Sequence, residues 1–282
     1  MPEGPEIRRA ADRVAAAIEG RIADEVFFAF DELKPYEERL RGRRVREVTT
    51  RGKAILTRFD GGLSVYSHNQ LYGRWYVVRG DRLPKTGRQL RFAVTAEDRR
   101  ALLYSASDIE VLDDRGEREH PFLGRLGPDV LSQAPTVEDL AARFDLPEFR
   151  RRQLGALLLD QGFVAGLGNY LRAEILFEAR LHPRRRAADC SAAEIELLAG
   201  RTLGLALRAY RTRGITLPPS RVAALKASGV TRRGYRFWVY GRHGQPCRSC
   251  GRQVTADVVG GRKCFWCPAC QPGDRGRKRK RR

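Results

Sequence analysis

The sequence predicts an α+β protein: an N-terminal helix, an antiparallel β-sandwich, a helical stretch and a metal-binding hairpin. Three observations point there. Residues 3–19 put Ile7, Ala11, Val14 and Ile18 on one helical face, with Gly20 where a C-terminal cap belongs. From about residue 22 to 112 that period gives way to short β-type runs separated by turn residues. Beyond Gly127-Pro128-Asp129 a helical period returns, and it is followed by two Cys-x-x-Cys pairs.

Element by element, strands are expected at Val26–Phe30, Val45–Thr49, Ala54–Phe59, Leu63–Ser67, Trp75–Val78, Leu90–Val94 and Ala101–Tyr104. Asp60-Gly61-Gly62 marks a tight turn between two of them. Helices are expected near 136–144, 148–161, 169–180 and 191–212. Thr136 to Asp139 and Ser191 to Glu194 have capping-box spacing at two of their starts. Residues 213–234 mix Gly, Pro, Ser and Arg without a period and read as a long loop, and Phe237-Trp238-Val239-Tyr240 restarts β-type sequence. The last ten residues, from Gly273, are almost all charged and read as a disordered basic tail. The expected division is 1–126, 127–234, 235–272 and the tail 273–282.

The chain of 282 residues carries 54 basic against 34 acidic side chains, a formal charge of +20. A field of that sign favours polyanions, with nucleic acid as the usual partner. Arg far outnumbers Lys, which suits bidentate phosphate contacts. No apolar run approaches the roughly 18 residues of a membrane span, and the N-terminus lacks a secretory apolar core. A cytoplasmic protein is expected.

Cys247-x2-Cys250 and Cys267-x2-Cys270, sixteen residues apart, are spaced for zinc. Each pair sets two thiolates on one tight turn, and the intervening length suits a β-hairpin. Four thiolates leave no open position, so one structural Zn2+ is expected. Cys264 is read as packing and Cys190 as a helix-end residue. Arg252, Arg262 and Lys263 fall on the hairpin, as phosphate contacts or as solvated charge.

The N-terminus carries its own chemistry. Removal of Met1 before a small residue leaves Pro2 with a free secondary amine. Such an α-amino group has a pKa of about 8, against about 10.4 for lysine, so a fair fraction is nucleophilic at neutral pH. Glu3 beside it is placed to move protons; the alternative is a first-turn carboxylate favouring the helix dipole.

Met-Pro-Glu-Gly-Pro-Glu-Ile at the start, Thr-Arg-Gly-Lys inside, Ala-Gly-Leu-Gly-Asn-Tyr-Leu-Arg-Ala-Glu-Ile-Leu and the four-Cys finger occur in that order. Together they resemble the formamidopyrimidine-DNA glycosylase/endonuclease VIII family. Tyr-Ser-His-Asn-Gln-Leu-Tyr-Gly and Leu-Leu-Tyr-Ser-Ala-Ser-Asp-Ile-Glu resemble its endonuclease VIII branch. The match runs from residue 1 to about 271.

The resemblance implies two lobes with double-stranded DNA between them. The first is a β-sandwich led by the catalytic helix. The second carries a helix–two-turn–helix element and the zinc finger. It also implies a monomeric base-excision-repair glycosylase that removes oxidised pyrimidines and then nicks the strand as an AP lyase. By residue, it implies Pro2 as nucleophile, Glu3 as acid/base and Lys53 on the phosphate beside the lesion. Gln70, Leu71 and Tyr72 would fill the gap left by the flipped nucleotide. Asn169 and Arg262 would grip phosphates, and Glu6, Asp129, Asp160 and Glu174 would support the site.

One segment departs from the branch: Gly214 to Tyr235, with Pro218-Pro219 and Lys226, is longer than its usual pattern, in a region that helps cover the flipped base in related glycosylases. Two other readings stand beside this one. The first is excision of oxidised purines by the same machinery, which a Met–Arg–Phe-type set would accompany. The second is a zinc-ribbon nucleic-acid binder without catalysis.

Overall fold

The computed structural model describes residues 2–273; Met1 and the basic tail from residue 274 onward lie outside the described residues. The chain divides into two compact units, one ending at Leu126 and one beginning at Gly127.

In the first unit α1 (Gly4–Ile18) is followed by β1 (Glu25–Phe28), α2 (Pro35–Leu40), β2 (Val45–Arg51), β3 (Ala54–Phe59), β4 (Ser64–His68), β5 (Arg74–Arg79), β6 (Leu90–Ala96), β7 (Arg99–Tyr104), β8 (Asp108–Leu112) and α3 (Asp114–Glu119). The strands form two four-stranded sheets, ordered β1-β6-β7-β5 and β2-β3-β4-β8. Every pairing is antiparallel. Ile7, Val14 and Ile18 of α1 join Phe28, Ile55, Phe59, Trp75 and Phe92 in one buried core. Gly20 ends α1 at φ +77°, and its N–H donates to Val45 O at 2.8 Å. The Glu19 carboxylate accepts from Val48 N at 2.8 Å, so the helix C-terminus is pinned to β2. The short elements α2, β8 and α3 escaped the sequence reading. In β8, Asp108 and Glu110 alternate with Ile109 and Val111, and the charges mask a strand that pairs with β4.

The second unit contains α4 (Val137–Asp145), α5 (Leu154–Leu157), α6 (Asn169–Glu178), α7 (Ala192–Arg211), α8 (Pro219–Ala227) and the hairpin β9 (Thr255–Val259) with β10 (Arg262–Trp266). Both capping boxes form, at Thr136 and at Ser191. Gly260 and Gly261 turn the hairpin at φ +61° and +72°, as a two-residue loop requires.

Three expectations need correction. The helix expected over 148–161 is helical only at α5. Gly155 there lies so close to Pro183 and Val259 that a Cβ would meet them at 3.0 and 2.9 Å, and Asp160 turns the chain by accepting from Gly162 N. The loop expected over 213–234 contains α8, which begins at Pro219 and runs through Val222-Ala223-Ala224-Leu225-Lys226-Ala227. It buries none of its residues, so no amphipathic stripe announced it. Residues 237–240 form no strand, because their N–H groups have a different acceptor.

That acceptor is Glu174 of α6, which is fully buried. Its Oε1 accepts from Val239 N and Tyr240 N, both at 2.9 Å, and Oε2 from Trp238 N at 2.7 Å and Thr216 Oγ1 at 2.5 Å. Burial pushes the carboxyl pKa up, against the opposing pull of these donors. One side chain thus stands in for a strand partner.

Two measurements test these anchors. Glu174→Ala leaves three main-chain N–H groups without their acceptor, at about 1–3 kcal/mol each, so urea unfolding should show a loss of at least about 3 kcal/mol. At the start of α7, Glu194 accepts from Arg185 Nη1 at 2.6 Å, and this pairing holds its pKa at about 2. A depressed carboxylate contributes stability above its unfolded pKa of about 4.3 and loses it as pH falls toward the folded value. The side chain is 37% exposed, so solvent screening limits the effect. Glu194→Gln should cost about 1 kcal/mol at pH 7, and the gap to wild type should close near pH 2.

Candidate active site and nucleic-acid interface

The first unit presents three predicted groups on its turns and at the head of its helix. Pro2 is half-buried and directly precedes Glu3, the N-cap of α1, which is 4% exposed. Glu3 O accepts from Glu6 N and Ile7 N at 3.0 Å, while the Glu6 carboxylate takes the Glu3 N–H at 3.0 Å. Glu6 therefore fixes the backbone from which Pro2 projects. The other end of α1 is tied to the start of β2 by Gly20 and Glu19. Lys53 is half-buried in the turn joining the end of β2 to β3.

Gln70, Leu71 and Tyr72 occupy the β4–β5 turn. Ala54 pairs with His68, so this turn and the Lys53 turn share one end of the sheet. Gln70 takes a left-handed φ of +48°. Its N–H donates to His68 Nδ1 at 3.1 Å, and Ser107 Oγ donates to its Oε1 at 2.9 Å. Burial, opposed by Asp108 and reinforced by the Lys53 charge, lowers the His68 pKa and favours the neutral ring that accepts at Nδ1. Gly73 closes the turn with its N–H on Asn69 O at 2.7 Å. A Cβ there would meet the Asn69 backbone at 2.6 Å, so only glycine fits. The turn is thus braced at both ends, and it exposes Leu71 by 57% and Tyr72 by 69%. Exposing a Leu-Tyr pair on a rigid turn suits insertion into an apolar stack rather than core packing.

In the second unit Asn169 and Glu174 lie on α6, and Arg262 on the hairpin bonded to it. Asn169 opens the helix after Gly168; its Nδ2 donates to Lys263 O at 3.0 Å and its Oδ1 accepts from Arg172. The sequence reading missed Arg172, which is fully buried. Its guanidinium donates to Gly155 O at 2.9 Å, Val259 O at 2.7 Å, Arg262 O at 3.2 Å and Lys263 O at 3.3 Å. The one signal available was a cation three residues after Asn169, set between Leu171 and Ala173. Arg172 sets the hairpin against α6 and leaves the Arg262 side chain exposed, on the strand whose carbonyls it holds. Asp129 Oδ1 accepts from Leu131 N and Ser132 N at 2.8 and 2.9 Å. Asp160 accepts from Arg152 at 2.5 Å and Gly162 N at 2.8 Å, and its pKa is lowered by these bonds against desolvation.

The Sγ atoms of Cys247, Cys250, Cys267 and Cys270 lie within 4.8 Å of one another, with Cys247–Cys270 at 3.9 Å and Cys250–Cys267 at 3.5 Å. A tetrahedron with metal–sulfur bonds of about 2.3 Å has edges of about 3.8 Å, so the four residues fit a closed thiolate site. Ser249 N and Cys270 N point at sulfurs, at 3.4 and 3.5 Å, as thiolate charge requires. Cys264 is buried in the hairpin outside this set, and Cys190 caps a short turn before α7. Among the described residues no helix is long and apolar enough to cross a membrane.

Comparison with known proteins agrees with this layout. Residues 1–107 match the formamidopyrimidine-DNA glycosylase N-terminal domain, and residues 126–218 match the formamidopyrimidine-DNA glycosylase H2TH domain. An endonuclease 8 from Escherichia coli is 48% identical over 271 residues, 96% of this chain and 100% of its own. The solved structure of MutM (Fpg) from Thermus thermophilus is 31% identical with a TM-score of 0.75, covering 96% and 98% of the two chains. Lactococcus lactis Fpg, solved with DNA containing N7-benzyl-Fapy-dG, shares the fold at a TM-score of 0.78 and 19% identity, covering 96% and 100%. From its N-terminal helix to its four-cysteine hairpin, the chain belongs to the formamidopyrimidine-DNA glycosylase/endonuclease VIII family of DNA-repair glycosylase/AP lyases.

Proposed function

We propose that this enzyme excises oxidised pyrimidines from duplex DNA through the Pro2 amine. The observation that carries the mechanism is the position of Pro2, one residue before a buried carboxylate at a braced helix start. With Met1 removed, the Pro2 nitrogen attacks C1′ of an extruded nucleotide. The glycosidic bond breaks and the base leaves with a proton. Glu3 protonates the ring oxygen as the sugar opens, which gives an iminium at C1′. Loss of the acidified C2′ proton expels the 3′ phosphate. A second elimination expels the 5′ phosphate, and water releases the amine.

The remaining residues take supporting parts. Lys53 neutralises the phosphate beside the reacting sugar. Gln70, Leu71 and Tyr72 enter the gap in the stack, offsetting the cost of extrusion. Asn169 and Arg262 hold backbone phosphates, while Glu6, Asp129, Asp160 and Glu174 keep the surrounding backbone in place. The thiolate set holds one structural Zn2+, which ties the hairpin's two ends together. The enzyme works as a cytoplasmic monomer. The Gln70-Leu71-Tyr72 set and the full-length likeness to an endonuclease 8 favour pyrimidine over purine lesions.

Borohydride trapping on an abasic-site duplex tests the nucleophile. Wild type should form the covalent adduct, and Pro2→Gly should reduce it at least about 100-fold. Glu3→Gln should slow base excision by about 10²–10⁴. Peptide mapping that found the adduct on a lysine would remove Pro2 from the mechanism. On paired substrates, thymine glycol should be excised faster than oxidised guanine, and the reverse order would assign the enzyme to purines.

A further inference from the structure

Between Glu196 and Asp257 the chain carries twelve Arg and Lys residues and no Asp or Glu. Within that stretch residues 213–236 leave the body of the second unit through a narrow neck. Thr216 N donates to Arg236 O at 2.9 Å, and Arg236 Nε donates to Gly214 O at 3.0 Å. The excursion beyond the neck carries α8 and exposes Arg221, Lys226, Arg232 and Arg233, with Arg213 exposed just before it. Among the described residues, none of these five pairs with a carboxylate. Mutual repulsion of this kind is relieved by a polyanion.

The excursion is nevertheless held in place, and the holder is the first cysteine turn. The Arg248 side chain, between Cys247 and Cys250, donates to Phe237 O at 3.3 Å and to Gly234 O; Arg221 of α8 donates back to Arg248 O. Gly234 also lines an open cavity of about 570 Å³, whose charged lining groups are Arg233, Arg236 and Arg242, all cations. Arg242 spends its donors on Gln245, Trp238 and Pro246, whereas the exposed Arg233 lines the opening with its charge unneutralised.

We propose that segment 213–236, fastened to the Cys247–Cys250 turn by Arg248, is a further DNA-backbone contact of this protein, with the Arg233-lined cavity as its phosphate seat. The contact reads charge rather than sequence, and it makes the cysteine turn an organiser of DNA binding beyond its own hairpin. It rests on the family's action on DNA and is independent of which base is excised.

Anisotropy titrations of the full chain on a duplex with an uncleavable abasic analogue, across a potassium chloride series, test it. Each lost phosphate contact lowers the slope of log affinity against log salt by about 0.9. Lys226→Gln, Arg232→Gln and Arg233→Gln combined should lower it by at least one such step, with an unchanged unfolding midpoint. Arg248→Ala should weaken binding and speed tryptic cleavage between Arg221 and Arg233 at least about fivefold, as a released segment requires. An unchanged slope in the triple variant, or unchanged cleavage in Arg248→Ala, would overturn the proposal. Wild-type trapping separately reports the Pro2 mechanism, so failure of one reading is distinguishable from failure of the other.

Discussion

Helix α6 carries two buried charges of opposite sign, and the second unit is assembled on them. Arg172 collects carbonyls from α5, the hairpin and Asn169. Glu174, two residues on, collects N–H groups from the chain that enters the cysteine module. A buried ion is tolerated only when its hydrogen-bonding capacity is met. For Arg172 the groups that meet it lie on α5 and the hairpin strands; for Glu174 they belong to residues 238–240, which have no strand partner of their own. The helix therefore gives irregular backbone the satisfaction a sheet would otherwise provide. The same constraint joins Asn169 to the hairpin, so the proposed phosphate contacts of α6 and β10 share one rigid support.

The first unit reaches a comparable result by sterics. The α1 C-terminus is tied to β2 by Gly20 and Glu19. The Leu71-Tyr72 turn is held by a backbone approach that only Gly73 permits and by the neutral ring of His68. Rigid elements thus position exposed side chains without burying them, an arrangement suited to groups that must enter a partner.

Periodicity and spacing made most of this legible. The apolar face of α1, the seven strands named in advance, both capping boxes and the cysteine hairpin all carry local signals, because each is decided by residues close in sequence. What stayed hidden was decided over long distances. Residues 237–240 look like a strand until Glu174, more than sixty residues earlier, claims their N–H groups. The 148–161 stretch looks helical until the packing of Gly155 on Pro183 and Val259 confines the helix to one turn. Helix α8 buries nothing and so left no pattern to read. The proposed site residues are read from family motifs, whereas Arg172 and Arg248 are not, because each acts on main-chain carbonyls that any sequence could supply.

The neck of the 213–236 excursion has a consequence for how such proteins diverge. Its two ends touch through a main-chain hydrogen bond, and the anchoring carboxylate of α6 engages only residues at or beyond them. Chain inserted or removed between them leaves both flanks where they were. Loop-closure entropy makes each doubling of such a loop cost only about 0.6 kcal/mol. The position is accordingly a graft point, where descendants of one scaffold exchange whole appendages while the flanking chain stays fixed.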